Sequence, residues 1–214
     1  TSFFDTREVK FLLDLLSLLV NPKDMMAFIH IFEYAPGVGS ALAKEFFQCF
    51  LHFGNGHFMK GLLNPALFDL PKLSPNKNVQ LGLFDDDHEI GSAARFKHLD
   101  LPDAVYSHPL LKHPKIIQDG VKFFHRFYIL MQTIHTQQNP ASILGSIISS
   151  KLYGEVVETL SVQRGRLKNG EVDAEKKRLS RERILRKANL LHSLARQYGE
   201  LGRFVNAMVL GGGE

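Results

Sequence analysis

The residues of this chain that are best suited to bind a phosphate group lie between Pro36 and Lys44. The segment Gly37-Val38-Gly39-Ser40 places two glycines immediately before a predicted helix. Glycine tolerates positive φ and lets a backbone approach a phosphate closely, and the first amides of a helix are free to bind an anion. Lys44, one turn further on, is predicted to add a charge-assisted contact. The pattern predicts a contact that positions duplex DNA without reading its sequence; the alternative is a tight turn that needs glycine only for its geometry.

A basic segment from Arg164 to Lys187 is the second candidate, with ten Lys and Arg against four Asp and Glu. The whole chain has a net charge of +4, so the remainder is slightly acidic. A local excess of this kind is an electrostatic footprint for a polyanion, and it equally fits a solvated helix face or loop. The cations predicted to contact phosphate, or a partner domain, are Arg164, Arg166, Lys168, Lys176, Lys177 and Arg178.

The elements that carry these residues are predicted to be helices. Apolar residues from Val9 to Leu19 recur with a helical period, and Asn21-Pro22 ends that helix because a residue before proline disfavours helical geometry. Asp24 and Ser40 are predicted to cap the next two helices. Glycines and prolines punctuate residues 54–118, which predicts short helices and loops there.

Helical periodicity returns in the second half of the chain. Asn139-Pro140 is predicted to open a helix that ends at Gly154, and residues 165–171 are predicted to form an exposed loop. A last long helix has an inward face of Ile184, Ala188, Leu191, Ala195 and Tyr198. Since alternating strand patterns are scarce, we expect an all-α fold: a single irregular helical domain over residues 1–214, with a helix-hairpin-helix-like turn at Gly37–Ser40 and a loop-rich middle.

The composition is that of a globular protein, with 44% hydrophobic and 22% charged residues. No apolar run reaches membrane-spanning length, and the N-terminus lacks the pattern of a signal peptide. The single cysteine, Cys49, lies among phenylalanines and is predicted to be a buried thiol. We therefore expect a cytoplasmic protein with no membrane partner.

The sequence contains no recognisable motif for catalysis or for cofactor binding. It contains no G-x-x-x-x-G-K-[ST] phosphate loop, no H-E-x-x-H and no nucleophile turn. The acidic run 85–89 lacks the spacing of a calcium loop and is interpreted as a solvated loop. The pair His108-Pro109 and His113-Pro114 is interpreted as polar surface. No cofactor or metal is expected in this chain.

Two sequence segments, taken in their order along the chain, resemble those of a known protein family. The first runs from Ser2-Phe3-Phe4 to Asn21-Pro22-Lys23-Asp24 and is followed by the Gly37-Val38-Gly39 turn. The second comprises residues 186–194 and 204–210, which contain Arg186, Asn189-Leu190 and Phe204. Together they resemble the accessory 2B subdomain of UvrD/Rep/PcrA-type superfamily 1 DNA helicases. Pro36 stands where that family usually carries arginine, which predicts weaker duplex binding, and residues 54–118 look like an insertion or a diverged segment.

The resemblance implies a regulatory, duplex-contacting module of an ATP-dependent helicase. Motor domains of the same chain would flank it and would hold ATP and Mg²⁺, so both ends of this sequence are expected to be cuts within a longer protein. Phe3, Phe4, Arg7, Glu8 and Lys10 would then form the hinge and the side that faces the motor. The alternative is an all-α protein-interaction module whose basic helix binds an acidic partner.

Overall fold

The computed structural model describes residues 2–72 and 93–210 of the chain. Helices make up 69% of the structure and strands 1%, and the described residues form no sheet. The predicted all-α class is therefore confirmed. The helices are α1 (Arg7–Val20), α2 (Met25–Phe32), α3 (Ser40–Phe53), α4 (Phe58–Leu63), α5 (Asp103–Tyr106), α6 (Gln118–Ile134), α7 (Pro140–Ile148), α8 (Lys151–Gly165), α9 (Ala174–Ala195) and α10 (Leu201–Leu210), with 3₁₀ turns at Phe3–Asp5, Ala93–Phe96 and Pro109–Lys112.

The contacts divide the chain into two compact units. Unit 1 comprises Thr1–Asn21 with Ile129–Glu214, and unit 2 comprises Pro22–Tyr128. Within unit 1, α1 packs against α8, α9 and α10, and α7 also packs against α8 and α9. The apolar face of α1 is buried there, as the helical period of its leucines predicts.

Unit 2 is built around a cluster of phenylalanine rings. Phe28 stacks on Phe32 with ring centroids 4.4 Å apart, and Phe50 meets Phe28 edge to face at 5.8 Å. Offset and edge-to-face pairs are the favoured arrangements of aromatic rings, so the cluster stabilises unit 2 beyond the burial of its apolar area. Its fully buried members are Phe28, Phe32, Phe46, Phe50, Phe53, Phe58, Phe123, Phe124 and Phe127.

Several helix boundaries are as predicted because their signals are local. Asp24 caps α2 by accepting a hydrogen bond from the amide of Ala27 at 3.1 Å. Asn139 caps α7 in the same way through the amide of Ser142 at 3.0 Å, with Pro140 in the first turn. Asn21 ends α1 in an extended conformation before Pro22.

Two predicted boundaries are wrong. The helix that begins at Pro140 ends at Ile148 and not at Gly154. The side chain of Ser149 donates back to the carbonyl of Gly145, and Ser150 caps a new helix, α8, by accepting from the amide of Tyr153 at 3.1 Å. Ser40 is the first residue of α3, and its N-cap is Gly39.

The described parts of residues 54–118 hold the short helices α4 and α5 and two 3₁₀ turns, in line with the expectation of a loop-rich segment. The acidic run 85–89 lies outside the described residues. Neither the single-domain boundary 1–214 nor the insertion is tested, so both stay predictions. Within residues 2–72 and 93–210, no helix combines the length and the apolar character needed to cross a bilayer.

Candidate nucleic-acid interface

The segment from Gly37 to Lys44 lies in unit 2, where a seven-residue connection joins α2 to α3. The amide of Val38 donates to the carbonyl of Ala35 at 3.0 Å, which closes a turn. Val38 is buried, whereas Gly37, Gly39, Ser40 and Lys44 are exposed. The backbone between the two helices is therefore accessible while its apolar residue anchors it to the core.

The two glycines of this turn have different roles. Gly37 has φ +78°, and a Cβ on it would lie 2.8 Å from the Cδ1 atom of Ile117, so glycine is required there by the fold. Gly39 has φ −93° and ψ −177°, extended backbone that any residue adopts, and open space surrounds the position of its Cβ. The fold therefore accounts for Gly37 but does not account for Gly39.

The amino terminus of α3 presents free amides. Gly39 has no side chain to cap the helix, and the first intrahelical bond is donated by Ala43 to the Gly39 carbonyl at 2.9 Å. Among the residues that the structure describes, no acceptor is bonded to the amides of Ser40, Ala41 or Leu42. These amides and the helix dipole favour a negative group at this end of α3.

The basic segment lies in unit 1, whereas the Gly37–Lys44 turn lies in unit 2. It begins at the end of α8, continues through a tight hairpin and enters α9. Arg166 pairs with Val172 in an antiparallel bridge, and the amide of Leu167 donates to the carbonyl of Glu171 at 2.8 Å. The predicted exposed loop 165–171 is thus an ordered hairpin in which Gly170 adopts φ +86°. Gly165 lets α9 approach, since a Cβ there would lie 3.1 Å from the backbone nitrogen of Lys177.

Arg164 faces an internal carboxylate. Its guanidinium donates two hydrogen bonds to Glu8, at 2.6 and 2.9 Å, and the Nζ of Lys187 lies 3.7 Å from the same carboxylate. The Tyr153 hydroxyl donates to the Glu8 carbonyl at 3.2 Å. Burial raises the pKa of Glu8, but the hydrogen bonds from Arg164, together with the nearby positive charges, bring that pKa below its usual value. Glu8, predicted to face a motor domain, instead points into unit 1, where its side chain is fully buried.

The other predicted cations differ in how far they are neutralised. Lys177 pairs with Glu158 at 2.6 Å. Arg178 bridges Glu175 and Glu182, and these hydrogen bonds raise the pKa of its guanidinium. Arg166 donates to the Gly170 carbonyl at 3.0 Å. The side chains of Lys168 and Lys176 are exposed and have no ion pair with any described residue.

Three cations beyond the predicted set are available on α9. Arg181, Arg183 and Arg186 are exposed, and within the described ranges no carboxylate pairs with them. The charge count of the sequence covered these residues but did not assign each cation to a helix face. The three-residue spacing of Arg183 and Arg186 along α9 was the signal that could have found those two.

The histidine pair is structural, which corrects its interpretation as polar surface. His108 and His113 are buried, and each accepts a hydrogen bond at Nδ1 from the amide two residues on, at 3.0 and 3.1 Å. The Nε2 of His108 lies 3.0 Å from the carbonyl oxygens of Gly61 and Leu62, and that of His113 lies 3.2 Å from Glu45. Burial lowers the pKa of His108 to about 4.

Residues with metal-ligand chemistry do not converge in the part of the chain that is described: no group of three or more His, Cys, Asp or Glu is positioned to hold a metal ion. Cys49 is buried as predicted. Its burial, with a smaller contribution from Glu45, raises the pKa of the thiol to about 12. A thiol with this pKa is a poor nucleophile and metal ligand.

Comparison of the chain with protein-family models, with curated protein sequences and with solved structures gives no match. The helicase resemblance therefore rests on the order and spacing of the sequence motifs alone.

Proposed function

We propose that this chain is an accessory, duplex-DNA-contacting subdomain of a UvrD/Rep/PcrA-like ATP-dependent DNA helicase. In this proposal ATP and Mg²⁺ are bound by the motor domains of the parent protein, and this subdomain holds duplex and regulates unwinding. The observation that carries the proposal is the amino terminus of α3, where the first backbone amides have no hydrogen-bond acceptor among the described residues. The turn before these amides contains Gly39, a glycine that the fold does not require.

The chemistry of that turn suits a phosphate. Free first-turn amides and the helix dipole attract an anion. The absence of a side chain at Gly39 allows the phosphate to reach these amides, and Lys44 lies on the same exposed helix end. Contacts of this type position a duplex without reading its sequence, which is the contact that a mobile accessory subdomain needs.

The proposal is tested by placing a negative charge at the turn. Asp and Asn are both good N-caps, so Gly39→Asp and Gly39→Asn should both retain or increase stability. We expect Gly39→Asp to weaken duplex binding roughly fivefold relative to Gly39→Asn, because a carboxylate would lie about 4 Å from the phosphate. The measurement is fluorescence anisotropy of a labelled duplex at low salt, with a salt titration.

A matched control carries the same change of charge elsewhere. Asn55→Asp adds one carboxylate just beyond the far end of α3, about 20 Å from Gly39. Asn55 is exposed and has φ +53°, which aspartate tolerates. Equal weakening by Gly39→Asp and Asn55→Asp would attribute the effect to net charge and would contradict the turn as the site.

A further inference from the structure

One exposed face of α9 carries cations and leucines at regular spacing. Its residues occur at i, i+3, i+7, i+10 and i+14, the spacing of the a and d positions that line one side of a helix. We call this set the α9 stripe: Lys176, Leu179, Arg183, Arg186 and Leu190.

The α9 stripe lies away from the core of unit 1. The buried residues of α9 are Ile184, Ala188, Leu191 and Ala195, which face the rest of that unit. With 100° of rotation per residue, Leu179, Arg186 and Leu190 lie about 130–170° from the centre of this buried face, and Lys176 and Arg183 lie about 90–110° from it. Every member of the stripe is exposed, including Leu179 at 39% and Leu190 at 53%.

The charges of the stripe are uncompensated within the described residues. Lys176, Arg183 and Arg186 have no ion pair there, whereas neighbouring Arg178, on another face, is paired with Glu175 and Glu182. The stripe itself contains no acidic residue. An incoming carboxylate would therefore meet available guanidinium groups, which bind carboxylates through two parallel hydrogen bonds.

The leucines distinguish this surface from a phosphate-binding one. Leu179 and Leu190 bracket the two arginines, eleven residues apart, which is about 16 Å along the helix. A surface depression of about 420 Å³ lies next to Leu190. It is lined by Arg183, Arg186, Lys187, Asn189, Leu190 and Ser193. A nucleic-acid backbone offers no apolar group to cover these leucines, but an amphipathic helix does.

We propose that the α9 stripe docks an acidic amphipathic helix of a second protein. Glutamates or aspartates of that helix pair with Arg183 and Arg186, and its apolar residues cover Leu179 and Leu190. Charge complementarity sets the orientation and speeds association, while the leucines supply the apolar contact. This surface lies in unit 1, so the inference does not depend on the Gly37–Lys44 turn of the proposed function.

The probe for the test is a synthetic, fluorescein-labelled acidic helix of about 18 residues, five turns, which is long enough to cover the stripe. Glutamates are placed to face Arg183 and Arg186, and leucines are placed to face Leu179 and Leu190. A scrambled peptide of identical composition has the same charge without the pattern. We expect the whole chain to bind the patterned peptide at least about tenfold more tightly than the scrambled one.

Matched variants locate the binding. Arg183→Glu with Arg186→Glu should weaken binding of the patterned peptide at least about tenfold, since like charges then face each other. Lys151→Glu with Arg196→Glu makes the same change of charge at exposed positions off the stripe and should change binding less than about threefold. Leu179→Ser with Leu190→Ser should remove the preference for the patterned peptide.

Three outcomes would overturn the inference: equal binding of the patterned and scrambled peptides, equal weakening by the two charge-reversed variants, and a preference that survives the loss of both leucines. Labelled duplex DNA is titrated against the same variants. If the parent chain does not bind the patterned peptide, and duplex binding is lost only in the variant with Arg183→Glu and Arg186→Glu, the stripe is a nucleic-acid surface instead. Circular dichroism of each variant establishes that the helix content is unchanged.

Discussion

Arg164 and Glu8, which are 156 residues apart in the chain, form a two-pronged ion pair inside unit 1, with hydrogen bonds of 2.6 and 2.9 Å. The pair joins the first turn of α1 to the last turn of α8, and Lys187 of α9 lies 3.7 Å from the same carboxylate. A buried carboxylate is tolerated only when it is paired and hydrogen-bonded. Arg164, which the sequence predicted to contact phosphate, therefore stabilises the fold by pairing with this carboxylate.

The first prediction concerns the loss of this arginine. Arg164→Ala leaves the fully buried carboxylate of Glu8 with only Lys187 as a cationic neighbour. We expect the free energy of unfolding to fall by about 2 kcal/mol, less than for breaking a fully buried ion pair, because the Arg164 side chain is 36% exposed and Lys187 remains. The measurement is urea unfolding followed by circular dichroism at neutral pH.

Arg166→Ala is the control for that variant. Arg166 is exposed and donates one hydrogen bond to the carbonyl of Gly170. Its loss should cost about 1 kcal/mol or less. If the two alanine variants are equally stable, the Glu8–Arg164 pair does not contribute as described.

The second prediction separates the two glycines of the α2–α3 connection. Gly37→Ala forces a side chain into left-handed backbone and against Ile117, so we expect a loss of roughly 1–3 kcal/mol in the free energy of unfolding. Gly39→Ala meets no neighbouring atom in allowed extended backbone, and only the poorer N-cap propensity of alanine opposes it. We expect its cost to stay below about 1 kcal/mol.

Thermal and urea unfolding of the two alanine variants provide the measurement. Equal destabilisation by both would show that Gly39 is also needed for the fold. Because Gly37→Ala perturbs the fold, duplex binding by a variant that carries both alanine substitutions would report on folding as well as on phosphate contact. Single substitutions at Gly39 are therefore the informative ones for DNA binding.

The elements that sequence reasoning predicted are those with local signals. The caps Asp24 and Asn139 act on amides three residues away, and Asn21-Pro22 ends α1 through its own backbone preference. The sequence likewise indicated the buried face of α9 through the period of Ile184 and Ala188, although Tyr198, predicted on the same face, lies beyond the end of the helix and is half-buried. Such features need no knowledge of the rest of the chain.

Sequence reasoning missed the features for which two neighbouring residues could each end or cap a helix, and those that depend on contacts between distant parts of the chain. Ser149 and Ser150 split a continuous apolar pattern into two helices, because one serine closes α7 and the next caps α8. Ser40 is a better N-cap residue than glycine by propensity, yet the turn places Gly39 at that position. The partner of Arg164 lies in α1, so no local pattern distinguishes this arginine from a phosphate-binding one.

The third prediction is a pH dependence that arises from His108. This imidazole is buried and neutral, with a pKa of about 4 against an ordinary value of 6.5. Between those values the unfolded chain binds a proton that the folded chain does not, so the stability that depends on a neutral His108 is lost as the pH falls from 6.5 towards 4. We expect the resulting loss in the free energy of unfolding to reach roughly 3 kcal/mol near pH 4.

His108→Gln isolates the effect from the other titrating groups. The variant should be less stable than the parent at pH 7, because His108 bonds to the carbonyls of Gly61 and Leu62 and to the amide of Leu110. The difference in the free energy of unfolding between parent and variant should narrow as the solution is acidified. A difference that stays constant from pH 7 to pH 4 would mean that His108 titrates normally in the fold.

The fourth prediction concerns the thiol of Cys49, which is the single cysteine of the chain. It is completely buried in α3, and burial raises its pKa to about 12 from the ordinary 9.0. Because the thiolate is the reactive form, we expect a disulfide-exchange reagent to label it at least roughly a thousandfold more slowly in the folded chain than in guanidinium chloride. The measurement is the labelling rate under both conditions.

Gln48→Cys combined with Cys49→Ala provides a thiol for comparison on the same helix. Position 48 is exposed, so its thiol should react in the folded chain at nearly the rate of an unfolded one. Rapid labelling of the parent protein, at a rate close to that of this variant, would place Cys49 at an accessible position and contradict the packing of α3 against the phenylalanine cluster. Slow labelling would make the rate at Cys49 a direct measure of how often unit 2 opens.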